Sequence, residues 1–171
     1  MSRFNNYICA IILLLSFSAL SQTTFEEDEE TIQNTIDARI NQAQKDIEKN
    51  AYFEAQEKYD QALELAIKID NQKSIGIIYS KIGKLQYIIE EPDEAIKSLI
   101  KANEVQRFAK DDVNLAETYK TLGNVYTSKK QYQQALDYYK SAKTLFEQEG
   151  LDNFVAEVLL NEGITYINLK K

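Results

Sequence analysis

The stretch "YKTLGNVYTSKKQYQQALDYYKSA", Tyr119 to Ala142, decides the fold. It sets small residues, Gly123, Ala135 and Ala142, among tyrosines and leucines at regular intervals. Moved along the chain by forty residues, its pattern recurs. "QYQQALDYYKSA" (131–142) falls on "EPDEAIKSLIKA" (91–102), and that falls on "AYFEAQEKYDQA" (51–62). Alanine occupies 55, 95 and 135, and again 62, 102 and 142. Tyr59, Leu99 and Tyr139 share a column, as do Leu65, Val105 and Leu145. Upstream, "YSKIGKLQY" (79–87) falls on "YKTLGNVYT" (119–127) and on "LLNEGITYI" (159–167), which aligns Gly83, Gly123 and Gly163. Self-similarity at a fixed period is the mark of a repeat array.

Within each repeat the apolar residues recur at three and four, the helical period. Tyr119, Leu122 and Tyr126 make one stripe; Leu136, Tyr139, Ala142 and Leu145 make another. A short polar break separates them, "TSKKQ" (127–131) in one repeat and "EEP" (90–92) in another. Pro92 suits the first turn of a helix, where its missing N–H costs nothing. Each repeat therefore reads as two helices joined by a short turn, and the fold class is all-α. A glycine inside a helix costs about 1 kcal/mol relative to alanine. Three in one column imply close helix packing, and the alanine columns imply the same on the second helix.

This order of tyrosine, leucine, glycine and tyrosine, then tyrosine, alanine, tyrosine and alanine, resembles the tetratricopeptide repeat. That family's usual period is about 34, with a closing proline. Here the period is forty and the proline is absent, so the helices and their connections should be longer. HEAT-type repeats have a similar period but do not explain the glycine and alanine columns. The resemblance covers residues 31–171. It implies an α-solenoid of antiparallel helix pairs in a right-handed superhelix, with repeats at about 31–70, 71–110 and 111–150 and a partial one at 151–171. About seven helices are expected after the leader.

The chain opens "MSRFNNYICAIILLLSFSALSQ". Arg3 precedes an uncharged, mostly apolar run from Tyr7 to Leu20, and Ala19 and Ser21 are small residues before Gln22. This reads as a secretory signal peptide, residues 1–21; the run is shorter than the roughly 20 residues a membrane helix needs. An exported, periplasmic or secreted protein is expected, with no stable membrane span once the leader is gone. Residues 22–30, "QTTFEEDEE", read as an acidic flexible lead-in. Cys9, the sole cysteine, lies in the leader, and histidine and tryptophan are absent. Disulfides, thiolate metal sites and Cys or His nucleophiles are thereby excluded from the mature chain. With 20 basic and 27 acidic residues, the charge balance argues against nucleic acid, which needs a basic stripe. No carboxylate pair stands in an apolar pocket, and no glycine-rich phosphate loop occurs, so no enzyme and no cofactor are expected.

Along the array, Ile32, Ile36, Ile40, Ala43 and Ile47 mark the first helix, with Ala43 in the glycine column. The second is expected at about 53–69 and the seventh at about 153–169, with Gly150 stopping the sixth. Glu54–Lys58, Glu64–Lys68 and Asp93–Lys97 read as exposed i, i+4 pairs. The resemblance implies that first helices line a concave groove for a peptide or partner helix. The groove residues on them are Lys81, Lys84, Tyr87, Lys120, Asn124, Asn161 and Ile164. The three lysines would make a basic patch. Lys120, Asn124 and Asn161 also match three of five places of the family's carboxylate clamp.

On the seventh helix, Val155, Leu159, Gly163 and Tyr166 are expected to meet repeat three. Leu160, Ile164 and Ile167 form a second apolar stripe, a candidate surface for self-association, for a partner, or for the next helix of a longer array. The leading reading is an exported protein-binding module with a protein or peptide partner. The rival is the sensor portion of a signalling protein.

Overall fold

The structure, a computed structural model, describes residues 29–170. The leader and most of the acidic lead-in lie outside them. Among the described residues seven helices follow one another: α1 (29–48), α2 (Tyr52–Lys68), α3 (Gln72–Ile88), α4 (Pro92–Ala109), α5 (Asp112–Ser128), α6 (Tyr132–Gln148) and α7 (Asp152–Leu169). The lead-in is shorter than the sequence suggests. Glu29 and Glu30 are already helical, and acids suit the first turn because helix N-termini carry partial positive charge. Pro92 sits in the first turn of α4, as expected.

Every connection is built alike. Asn50, Asp70, Glu90, Lys110, Lys130 and Gly150 stand twenty residues apart, all with φ between 51° and 68°. At each, the left-handed residue bonds back three positions and its successor bonds back five. Thus Asn50 N–H reaches the Ile47 carbonyl at 2.9 Å, and Ala51 N–H reaches that of Asp46 at 2.8 Å. This Schellman arrangement satisfies the last carbonyls of each helix. Only the last of the six left-handed residues is a glycine, so the sequence announces only one of the six turns.

The alanine columns lie in the core: Ala55, Ala95, Ala135, Ala62, Ala102 and Ala142 are all fully buried. Between them lie Tyr59, Leu99 and Tyr139, equally buried; full burial of a leucine side chain alone is worth about 1.5–3 kcal/mol. Each sits against the small residue of the preceding helix. A β-carbon on Gly83 would come within 2.6 Å of Leu99 Cγ. Gly76, which the repeat columns do not single out, has the same role: a β-carbon there would meet Gln106 Cγ at 2.8 Å. Gln106 is fully buried. Its Nε2 donates to the Gly76 carbonyl (3.1 Å) and its Oε1 accepts from Thr118 (2.8 Å). Thr118 has one proton and spends it on Gln106, so Ser80 must donate to Thr118 across their 3.0 Å contact. One satisfied buried chain thus ties α3, α4 and α5 together.

The two rows of helices differ in spacing. α3 touches α5 and α5 touches α7, whereas α2, α4 and α6 do not touch one another. A stack with one crowded row curves toward it, so the odd helices form the inner row. Polar bonds between neighbouring odd helices line this row, beginning with Asn71 Nδ2 to Gln33 Oε1 (2.8 Å) at the α1 end.

Two expectations need correction. Leu159, Gly163 and Tyr166 do not meet repeat three; all are exposed. Val158 and Thr165 are the buried contacts of α7, with Val155 half-buried beside them. The physical reason is the column itself: Gly83 and Gly123 face the helix that follows, and Gly163 continues that face. The second correction concerns Asp93. It pairs with Lys129, the residue just past the end of α5, while Lys97 bonds Glu94 at 2.7 Å, an i, i+3 contact. No helix among the described residues is long and apolar enough to cross a membrane.

Candidate functional site

On the inner row, α5 and α7 meet through amides and hydroxyls. Asn161 Nδ2 donates to Asn124 Oδ1 at 3.0 Å, and Tyr139 Oη donates to the same oxygen at 2.8 Å. Thr165 Oγ1 donates to the Asn161 carbonyl (2.8 Å). Thr127 must therefore donate to Thr165 across their 2.9 Å contact. With these protons placed, Asn124 keeps its amide nitrogen and Asn161 its side-chain oxygen for a ligand. Burial raises the Tyr139 phenol above its usual range, against the opposing pull of Thr127 and Thr165. It stays a neutral donor at physiological pH.

These groups border a depression of about 400 Å³ lined by Tyr87, Asn124, Thr127, Asn161 and Ile164, among others. A second depression, about 580 Å³, adjoins it across Tyr87 and Ser128 and reaches Pro92. Four of the seven groove residues named from the sequence, Tyr87, Asn124, Asn161 and Ile164, thus come together. Tyr139 and Thr127 join them unannounced. The tyrosine reads as core by its column, and its hydroxyl reaches the groove only because Gly123 lets its ring lie across α5.

The lysines divide. Lys84 is exposed and Lys81 half-buried. Desolvation, with Lys84 nearby, holds the Lys81 ammonium below the usual lysine range, and Glu117 only partly offsets this. Lys120 is different. Its side chain is only 12% exposed and bonds Glu117 at 2.9 Å and Glu157 at 2.7 Å. Its ammonium also lies 5.4 Å from the Phe154 ring. Burial pulls its pKa down, but the bonds to Glu157 and Glu117 outweigh that and hold it above the usual range. The expected three-lysine patch is therefore a two-lysine patch. The clamp reading fails at the same point, because the cation that should meet a peptide carboxylate already has two carboxylates.

A family model described as tetratricopeptide repeat matches residues 74–148. Protein HGV2 of Halocynthia roretzi is 30% identical over 95 residues, 54% of this chain and 18% of that protein. Among solved structures, BtubC (BKLC) from P. vanneervenii superposes with a TM-score of 0.69 at 16% identity, over 78% of this chain and 56% of that one. The N-terminal domain of stress-induced protein-1 (STI-1) from C. elegans gives a TM-score of 0.57 at 19% identity, over 74% of this chain and 96% of that one. The chain therefore spans under a fifth of HGV2 and just over half of BtubC. At these identities the two structures speak to the fold alone.

Proposed function

We propose that this tetratricopeptide-repeat protein is a non-enzymatic scaffold that holds a segment of a partner protein along its inner row of helices. Curved solenoids present extended concave surfaces suited to such partners. The carrying observation is the pair Asn124 and Asn161, joined to each other yet each keeping one free amide group beside Tyr87 and Ile164. Side-chain amides can bond a peptide backbone in both senses, and the tyrosine and isoleucine offer apolar contact. Lys81 and Lys84 lie further toward the N-terminal end of the row, which favours a segment with acidic residues at that side. The proposal puts the scaffold outside the cytoplasm, on the strength of the leader-like residues 1–21.

The test is capture from the envelope fraction by the wild-type protein and by Asn124→Ala and Lys84→Glu variants of unchanged helix content. A partner retained by the wild type and lost by both variants supports the groove. A partner held equally by all three sinks it. Mass spectrometry of the exported protein checks the leader: a mass beginning at Gln22 is expected, and an intact Met1 form would overturn it.

A further inference from the structure

The glycine column ends in an empty place. Gly83 faces Leu99 and Gly123 faces Tyr139, but a β-carbon on Gly163 would meet nothing within 4 Å. Around it Leu160, Ile164, Tyr166 and Ile167 are 47–65% exposed. This face of α7 is therefore apolar along much of its length.

The helices that fill the notch elsewhere share one spacing. α2 carries Ala55, Tyr59 and Ala62; α4 carries Ala95, Leu99 and Ala102; α6 carries Ala135, Tyr139 and Ala142. Each is small, large and small at n, n+4 and n+7. The exposed side of α7 carries the same spacing in Ala156, Leu160 and Gly163. One helix face therefore holds both the notch, Gly163, and the knob that fits it, Leu160. A face with both parts complements an antiparallel copy of itself, as a two-fold interface requires.

From this self-complementarity we infer that α7 pairs with α7 of a second copy of the chain. Leu160 packs on the partner's Gly163, and the partner's Leu160 on Gly163. Ile167 falls on the partner's Ala156 in the next rung, again large against small. Charge selects the direction. Asp152 lies in the first turn of α7 and Lys170 just past its end. An antiparallel pair sets Lys170 beside the partner's Asp152, whereas a parallel pair would set acid on acid. It also opposes the two helix dipoles favourably. Glu157 and Glu162, the acids within the helix, already face Lys120 and Lys143 of their own chain.

Sedimentation equilibrium of the purified protein tests this. A closed dimer is expected for the wild type. Gly163→Leu has open space in its own chain, so the fold is kept or strengthened while the dimer weakens by about tenfold or more in dissociation constant. Leu160→Lys should do the same. Phe108→Lys, an exposed site on α4, should leave the dimer intact. Lys170→Glu should weaken it, and adding Asp152→Lys should restore it. A wild type that stays monomeric at the highest concentration reached, because another helix covers the face, overturns the inference. So does a dimer indifferent to Gly163→Leu, or growth into open chains. Ile164 borders both surfaces, but neither Leu160 nor Gly163 lines the Asn124 depression, so the Gly163→Leu and Leu160→Lys variants test the dimer without altering the lining of the groove.

Discussion

Gly123 lies so close to Tyr139 that a β-carbon on it would come within 2.4 Å of the ring Cε1. The ring is fully buried and cannot swing aside. Gly123→Ala should therefore force the α5–α6 contact apart and lower stability by about 1–3 kcal/mol. Gly163→Ala, in the same column one repeat further along the sequence but facing open space within its own chain, should raise stability by up to about 1 kcal/mol, the helix-propensity gain. Thermal melts of the two variants should shift in opposite directions. Shifts of the same sign would reject the packing role of the column.

The left-handed turns give a second test. Glu90, Lys110 and Lys130 adopt φ near +60° without being glycine, a conformation that costs an L-residue roughly 1–2 kcal/mol. Lys110→Gly and Glu90→Gly should each stabilise the protein, by about 0.5–1 kcal/mol after the added freedom of the unfolded chain is counted. Denaturant midpoints that fall for both variants would contradict this.

Lys120 should behave as a structural cation. Replacing it with glutamate would bring a third carboxylate to Glu117 and Glu157. A loss of about 1–3 kcal/mol is expected, between the values for exposed and buried pairs. Lys84→Glu, at an exposed position, should leave thermal stability nearly unchanged. If Lys120→Glu melts like Lys84→Glu, the ion-pair cluster is not formed.

Alkaline pH should unfold the protein partly through Tyr59. Burial pushes its phenol up to about 12 from an ordinary 10.0. A raised folded-state pKa means that the unfolded chain ionises first. The contribution is full below pH 10 and is lost as pH rises toward 12. The gap corresponds to about 2–3 kcal/mol by linkage. Stability measured against pH should fall less steeply over that window for Tyr59→Phe than for the wild type. Equal slopes would assign the loss to other groups.

The array was legible in the sequence because close packing admits few residues at a crossing. Where an odd helix crosses the even helix that follows it, the column narrows to glycine or alanine on one side and one large residue on the other. That Tyr87, Asn124, Asn161 and Ile164 come together around one depression was legible for a related reason: they stand off the packed stripe of their helices. Lys120 was misread because the carboxylates that neutralise it lie three residues away on α5 and thirty-seven away on α7. No helical period brings Glu157 to it. The left-handed turns were hidden by lysine and glutamate where glycine would announce them. The misassigned face of α7 had another cause. Apolar residues lie on two faces of α7, and periodicity alone does not say which of the two packs against repeat three.

The uniform turns carry a consequence for how such a chain can change length. Because a left-handed residue closes each of α1 to α6 at every twentieth position, a helix and its turn form one interchangeable step, and two steps restore the original orientation. Loss of forty residues, such as 71–110, would join Asp70 to the start of α5 and keep inner helices inside. Loss of twenty would send every later helix to the opposite row. Its glycine would then face solvent, and its alanines would meet residues built for a different neighbour. Such a protein can shorten or lengthen by whole pairs while single-helix changes are disfavoured, and its inner row grows or shrinks by one helix at a time.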